Sequence, residues 1–128
     1  MDLPLSVQGL TAIRVGVGLS ALGAPSVFAL VFGLPPARTP MADMGMSFFG
    51  IRELVLAGIT AGAATAEPRA RRRVLLAGAA TDGLDLVVLG ARAIRQPALR
   101  RAVLLFGPGA ALSVALHLRA ARKVEVTP

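Results

Sequence analysis

The sequence predicts an all-α protein and, more narrowly, a four-helix transmembrane bundle. Apolar residues make up 55% of the 128 residues and charged residues only 16%, whereas soluble domains carry about a quarter charged residues. The apolar residues fall in four consecutive runs, each about long enough to cross a bilayer. A chain of this length cannot build a core that buries so much apolar surface. We therefore expect one membrane domain over residues 1–128 rather than the alternative, a very apolar soluble helical dimer.

The first two predicted helices are separated by a short loop rich in proline. The first covers about residues 7–32 and contains one charge, Arg14. It is predicted to stop at residues 33–36, where Gly-Leu-Pro-Pro breaks the helical pattern. The second covers about residues 44–66 and ends at the Glu-Pro pair of residues 67–68.

The third and fourth predicted helices cover about residues 74–91 and 102–118. The fourth is interrupted by Gly107-Pro108-Gly109, and a proline inside a helix predicts a kink there. Arginine clusters flank these helices and are predicted to form the connections and a loose tail: residues 69–73, 92–101 and 119–128. We expect these arginines to meet anionic lipid headgroups.

The distribution of basic residues predicts a multi-pass protein of the cell membrane with both termini in the cytoplasm. In that orientation the cytoplasmic flanks hold seven basic residues and the outer flanks five, and short cytoplasmic loops carry the excess of Lys and Arg. The difference is small, so inverted or dual insertion is the alternative. The first helix lacks a basic segment before it and is too long for a signal peptide, so we expect it to be retained.

A small set of charges falls inside the predicted helices: Arg14, Arg52, Glu53, Asp82 and Asp85. At about 1.5 Å of rise per residue, Arg14 and the three carboxylates lie roughly 13 to 21 Å from the cytoplasmic edge. The middle of a hydrocarbon core about 30 Å thick lies at about 15 Å. These groups are therefore predicted to converge near the midplane from three helices, and charges at that depth tend to mark function.

The spacing of these charges indicates how they face one another. Asp82 and Asp85 are three residues apart and share a helix face. Arg52 and Glu53 are adjacent and point about 100° apart, so one is expected to meet Arg14 or the aspartates and the other a different helix or a cavity. Two acids on one face at low dielectric disfavour double ionisation. A protonated carboxyl beside an ionised one is a usable acid/base pair.

We therefore predict an intramembrane site for a lipophilic small molecule that needs no cofactor. Its catalytic residues would be Asp82, Asp85 and Glu53, acting as acid and base in an isomerisation, a cyclisation or an epoxide opening. Its substrate-binding residues would be Arg14, Arg52 and Phe49. Two alternatives remain: a structural salt-bridge network in an accessory subunit, in which the arginines and carboxylates neutralise one another, and a small proton-coupled exporter. Arg14 taken alone could instead reach the inner surface. His117, near Arg119 at a helix end, is predicted to lie at the membrane interface.

Composition excludes several kinds of site and partner. The chain has no cysteine and a single histidine, which removes disulfides, thiolate chemistry and a histidine-rich metal site. The net charge of +7 would suit nucleic acid in a soluble protein, but no tyrosine or tryptophan is present to stack on bases. The expected partners are the lipid bilayer, a lipophilic molecule and a second copy of the chain, since Gly58 and Gly62 form a small-xxx-small pair suited to close helix contact.

A resemblance to a known family rests on the second and third predicted helices. Residues 49–58 read Phe-Gly-Ile-Arg-Glu-Leu-Val-Leu-Ala-Gly and are followed by Asp82 and Asp85, with Arg14 and Pro25 in the first helix. Over about residues 8–118 the chain resembles the small four-helix DoxX-like integral membrane proteins. The resemblance implies a four-helix bundle with cytoplasmic termini and little about chemistry. Some relatives look like partners of oxidoreductases, but this chain has no cysteine or pair of heme ligands.

Overall fold

The computed structural model describes residues 5–34 and 39–124 and is all-α, as predicted. Five α-helices and one 3-10 turn account for nearly all of these residues, and no strand occurs among them. In chain order the elements are α1 (Leu5–Gly23), α2 (Pro25–Val31), α3 (Pro40–Gly62), α4 (Pro68–Arg95), the 3-10 turn (Pro97–Leu99) and α5 (Arg100–Lys123).

The first predicted helix is not continuous, which corrects the prediction of one helix over residues 7–32. It is divided at Ala24 into α1 and α2. Ala24 has φ −146° and ψ 62°, a non-helical conformation, because the ring of the following proline disfavours a helical residue before it. Pro25 then begins α2, where a missing N–H leaves no hydrogen bond unmade. The chain turns after α2 at Gly33, whose φ of +65° suits glycine.

The second predicted helix begins and ends about four residues earlier than expected. Thr39 caps the start of α3, and its Oγ1 accepts a hydrogen bond from the backbone N–H of Ala42 at 3.2 Å. Beyond the end of α3, the Arg71 guanidinium donates to three backbone carbonyls, those of Ala63, Ala64 and Ala66, at 3.0, 2.6 and 3.2 Å. This arginine of the predicted loop cluster therefore closes the turn between α3 and α4.

The predicted arginine-rich connections are mostly helical, which corrects the third and fourth helix bounds. The cluster at residues 69–73 forms the first turns of α4, and Arg92 and Arg95 form its last turn. Arginine is a good helix former, and a positive charge is favourable at a helix C-terminus. The predicted loose tail after Arg119 continues α5 as far as Lys123. Pro108 lies inside α5, which continues through it.

The long helices pack in two pairs, α1 against α3 and α4 against α5, with few contacts between the pairs. The α1–α3 pair is closest at two glycines. A Cβ at Gly50 would lie 2.8 Å from the Gly18 carbonyl oxygen, and one at Gly18 would lie 2.9 Å from the Gly50 oxygen. Gly58 and Gly62, predicted to contact a second copy of the chain, have nothing of this chain within 4 Å of a Cβ. Within the chain, Gly18 and Gly50 make the close helix contact.

Buried positions along the helices recur about every two turns and divide the interior into layers. On α1, Val7 and Arg14 are both buried and seven residues apart, as are Leu75 and Asp82 on α4. Seven residues correspond to about 10 Å of rise. Val7 and Leu75 pack with Ala120 and Ala121 in an apolar layer at one end. The buried charges form the next layer, and aromatic residues form the third.

The outer surface of the described helices is largely apolar. Leu30, Val87 and Leu104 are each more than 60% exposed. Three segments are long and apolar enough to cross a membrane, Pro40–Gly62, Pro68–Arg95 and Pro97–Lys123, and α1 contributes a shorter apolar helix, Val7–Gly23. Apolar surface of this extent on a soluble monomer would be unusual, and it is what a lipid environment covers.

The glycine contact gives a test of the packing between α1 and α3. We expect Gly50→Ala to lower the melting temperature, because its Cβ would meet the Gly18 carbonyl oxygen. Gly58→Ala is the matched control, since it gains the same helix propensity on the same helix without a clash. The two variants should differ by about 1–3 kcal/mol in unfolding free energy, measured by circular dichroism in nonionic detergent. Equal stability of both variants would contradict this packing.

Candidate functional site

Arg14 lies at the centre of the buried charged layer and joins the two helix pairs. Its side chain is about 6% exposed. Nη1 donates to Glu53 Oε2 at 2.8 Å on the partner helix α3, and Nη2 donates to Asp82 Oδ2 at 2.5 Å on α4. The planar guanidinium suits this double contact because it presents several donors in a fixed geometry. Arg14 therefore does not extend to the inner surface, which was the alternative for this residue alone.

Arg52 and Glu53, which are adjacent on α3, point to different helices. Glu53 turns to Arg14, whereas Arg52 Nη2 donates to Asp85 Oδ2 on α4 at 2.7 Å. Arg52 Nη1 also lies 3.3 Å from Glu53 Oε1. The Arg52–Asp85 pair is less enclosed than the Arg14 pairs, with its two side chains 30% and 33% exposed.

The five predicted charges therefore converge and form a single chain of alternating sign. Its order is Asp82, Arg14, Glu53, Arg52 and Asp85. Each arginine contacts two carboxylates, and Glu53 contacts both arginines. Two guanidiniums face three carboxylates, so the chain has a carboxylate at each end and carries one surplus negative charge when all five groups are ionised.

Two residues of α5 that were not predicted as site residues complete the Asp82 end. The Ser113 hydroxyl donates to Asp82 Oδ2, and it lies 3.3 Å from His117 Nδ1. His117 Nδ1 is also 2.9 Å from the Ser113 carbonyl oxygen. Because that oxygen can only accept, Nδ1 carries a hydrogen in this contact.

His117 is buried, which corrects its predicted position at the membrane interface. It is 1% exposed, and its ring lies against Gly78, where a Cβ would be 2.7 Å from Nε2. Among the described residues this Nε2 has no hydrogen-bond partner. Sequence spacing could have indicated the arrangement, because Ser113 and His117 are four apart on α5 and Gly78 and Asp82 are four apart on α4.

A cavity of about 360 Å³ lies beside the other end of the charged chain. Four phenyl rings on its wall form a closed cycle in the order Phe28, Phe32, Phe106 and Phe49, with neighbouring ring centroids 4.5 to 6.1 Å apart. Aromatic pairs are favourable at these distances. The rings come from α2, the residue after it, α5 and α3, so the cavity lies where both helix pairs meet.

The polar groups of the cavity wall are Asp85 and Arg92, both on α4. Leu84 and Val88 also line it and are more than half exposed. The cavity therefore reaches the apolar outer surface of the protein. Its volume falls in the range of ligand pockets, roughly 300–1,000 Å³.

The cavity divides the predicted site residues into two groups. Phe49 and Asp85 line it. Arg14, Arg52, Glu53 and Asp82 belong to the charged chain and are not among the lining residues. The sequence did not single out Phe28, Phe32 or Phe106 for the site, although the chain has only five phenylalanines and four of them meet here.

Two further observations concern metal binding and similarity to known proteins. Among residues 5–34 and 39–124, no three His, Asp or Glu side chains form a group that could hold a metal ion. Comparisons with protein-family models, curated proteins and solved structures find no match to this chain. The resemblance to DoxX-like proteins stays a prediction.

The different burial of the two aspartates gives a test of the charged chain. We expect Asp82→Asn to be strongly destabilising, by about 3–5 kcal/mol, because it removes a partner of a buried ion pair. Asp85→Asn is the matched control, three residues away on the same helix, and should cost about 1 kcal/mol or less because its pair is partly exposed. Thermal unfolding in detergent measures the loss of stability in both variants. A larger loss for Asp85→Asn would contradict the assignment of Asp82 to the structural core.

Proposed function

We propose that this chain is a multi-pass protein of the cell membrane that binds a lipophilic small molecule in the cavity between its helix pairs. In this proposal the fold is a four-helix transmembrane bundle, in which α1 and α2 together make the first span and both termini are cytoplasmic. The apolar outer surface and the three segments of membrane-spanning length support the membrane assignment.

The observation that carries the binding proposal is the cavity lined by four phenyl rings. Ligand sites are typically concave and mostly apolar with a few polar groups that fix orientation, and here the polar groups are Asp85 and Arg92. The exposed positions of Leu84 and Val88 on its wall favour entry of the ligand from the lipid. A molecule dissolved in the bilayer would thus enter without crossing water.

The charged chain and the cavity have different roles in this proposal. Arg14 pairs with both Glu53 and Asp82, and none of the three residues lines the cavity, so their proposed role is to hold the two helix pairs together. Asp85 ends the chain at the cavity wall and is the acid that contacts the ligand. Phe49 contacts it from α3. If the protein is an enzyme, Asp85 is the proton donor or acceptor for isomerisation, cyclisation or epoxide opening, and Arg52 holds it in place.

A second candidate function, a non-catalytic accessory subunit, is favoured by one observation. Each carboxylate of the charged chain is paired with an arginine, which is what a purely structural network requires. Binding of a small molecule in the cavity would distinguish the two proposals, because an accessory subunit has no need of it.

Photolabelling tests the binding proposal. A diazirine-bearing isoprenoid alcohol would be incorporated with the protein into vesicles of neutral phosphatidylcholine, illuminated, and its attachment sites mapped by mass spectrometry. We expect labelling of the cavity wall, at Met46 and Phe49 on α3 and around Phe106 on α5, to exceed labelling of lipid-facing residues such as Leu30 and Leu104. Unlabelled alcohol should compete with the cavity labelling only.

Two tryptophan variants of α4 provide the matched comparison. Val88→Trp fills the cavity, because Val88 is on its wall. Val87→Trp places the same ring on the lipid-facing side, at a neighbouring residue of similar exposure. Val88→Trp should abolish cavity labelling and Val87→Trp should leave it. Uniform labelling of all outward residues in a folded protein would overturn the binding proposal and favour the accessory subunit.

Turnover of lipophilic epoxides and isoprenoids separates an enzyme from a binding protein. An enzyme that uses Asp85 should lose turnover in Asp85→Asn while it keeps cavity labelling. Labelling without turnover of any tested substrate would support binding alone.

A further inference from the structure

Arg92 is the one unpaired charged residue on the described wall of the cavity. It lies in the last turn of α4, and no described residue forms an ion pair with it. Asp85, the other charged residue of the wall, already has Arg52 as its partner at 2.7 Å. A ligand in the cavity therefore meets Asp85, whose charge is compensated by Arg52, and Arg92, whose charge is not compensated.

One end of the cavity, lined by Arg92 and Leu99, lies at the basic turn between α4 and α5. The turn between α4 and α5 carries Arg92 and Arg95 on one side and Arg100 and Arg101 on the other, and residues 86–124 contain no Asp or Glu. Asp43, in the first turn of α3, is the acidic residue at this end of the described helices. Because four arginines and one aspartate lie here among the described residues, the positive charge favours binding of an anion.

The positions of the polar groups also give the orientation of a ligand. Asp85 and Arg92 are seven residues apart on α4, which separates them by about 10 Å along the helix. Arg92 is near the helix end, where a membrane-spanning helix meets the headgroup region. Asp85 is deeper, and the phenyl rings line the same cavity. A ligand with a polar head at Arg92 would place its apolar tail among these rings.

We infer that the cavity selects an amphiphile with an anionic headgroup, a carboxylate or a phosphate, bound by Arg92. A guanidinium matches both anions because it can donate two parallel hydrogen bonds to them. A cationic headgroup would face Arg92 without an available acid, since Asp85 is paired. A neutral headgroup would leave the charge of Arg92 uncompensated. This inference rests on the proposed binding function and names the class of its ligand.

Displacement of the photolabel by four probes with the same alkyl chain tests the headgroup. These are dodecanoate, dodecyl phosphate, dodecanol and dodecylamine, used at mildly alkaline pH in neutral phosphatidylcholine vesicles. We expect the two anions to suppress cavity labelling at concentrations at least about tenfold lower than the alcohol or the amine, as a charge-assisted hydrogen bond would give. Whichever of dodecanoate and dodecyl phosphate displaces the label at the lower concentration identifies the headgroup of the ligand as a carboxylate or a phosphate.

Two arginine variants distinguish a specific contact from general attraction. Arg92→Gln should remove the preference for anions, and Arg92→Lys should retain part of it. Arg95→Gln makes the same change of charge three residues away at a position off the cavity wall and should retain the preference. Because both arginines are exposed, neither change is expected to affect folding, and circular dichroism would check this.

The results distinguish a failure of this inference from a failure of the proposed binding function. If dodecanol displaces the label as well as dodecanoate does, or if Arg92→Gln and Arg95→Gln reduce the preference equally, the assignment of an anion to Arg92 is wrong while binding in the cavity stands. If the cavity is not labelled at all, the proposed function itself fails.

Discussion

The Arg14 guanidinium, held between Glu53 and Asp82, is the interaction on which the arrangement of the helices depends. The α1–α3 pair and the α4–α5 pair make few contacts with each other, and in the bilayer proposed for this chain lipid would supply no hydrophobic force to bring apolar helices together. Ion pairs from Arg14 and Arg52 cross that gap. An unpaired charge at this depth would be costly, so the pairing fixes the relative position of the two helix pairs.

This constraint also accounts for the position of the cavity. On one side of the charged layer, small and aliphatic residues such as Val7, Leu75 and Ala120 pack closely. On the other side, the break at Ala24 and the short helix α2 place Phe28 and Phe32 opposite Phe49 and Phe106. Four large rings in tilted and edge-to-face contact do not fill the space between two helix pairs that the ion pairs hold at a set separation. The space that remains is the cavity.

The charges could be predicted from the sequence because arginines and carboxylates are rare inside long apolar runs, and their position along a helix follows from its rise per residue. The sequence could not assign their partners fully, because a helix that is apolar on all sides does not reveal which face is buried. His117 shows the consequence: its distance along the chain from Arg119 indicated an interface, whereas its face of α5 places it against Gly78. Helix ends were misplaced where arginines continued a helix, since charge indicates the membrane boundary and not the end of helical hydrogen bonding.

The alternation of charges explains why Asp85 differs from the other carboxylates. A chain that begins and ends with a carboxylate has its surplus negative charge at the ends, since Glu53 in the middle is shared by two arginines. The Asp82 end is buried and receives the Ser113 hydroxyl. The Asp85 end is partly exposed on the cavity wall. In the proposed binding function, a hydrogen-bond donor of the ligand can therefore reach the network at Asp85. Arg52 and Glu53 connect that contact to Arg14, so occupancy of the cavity is linked to the interaction that holds the helix pairs together.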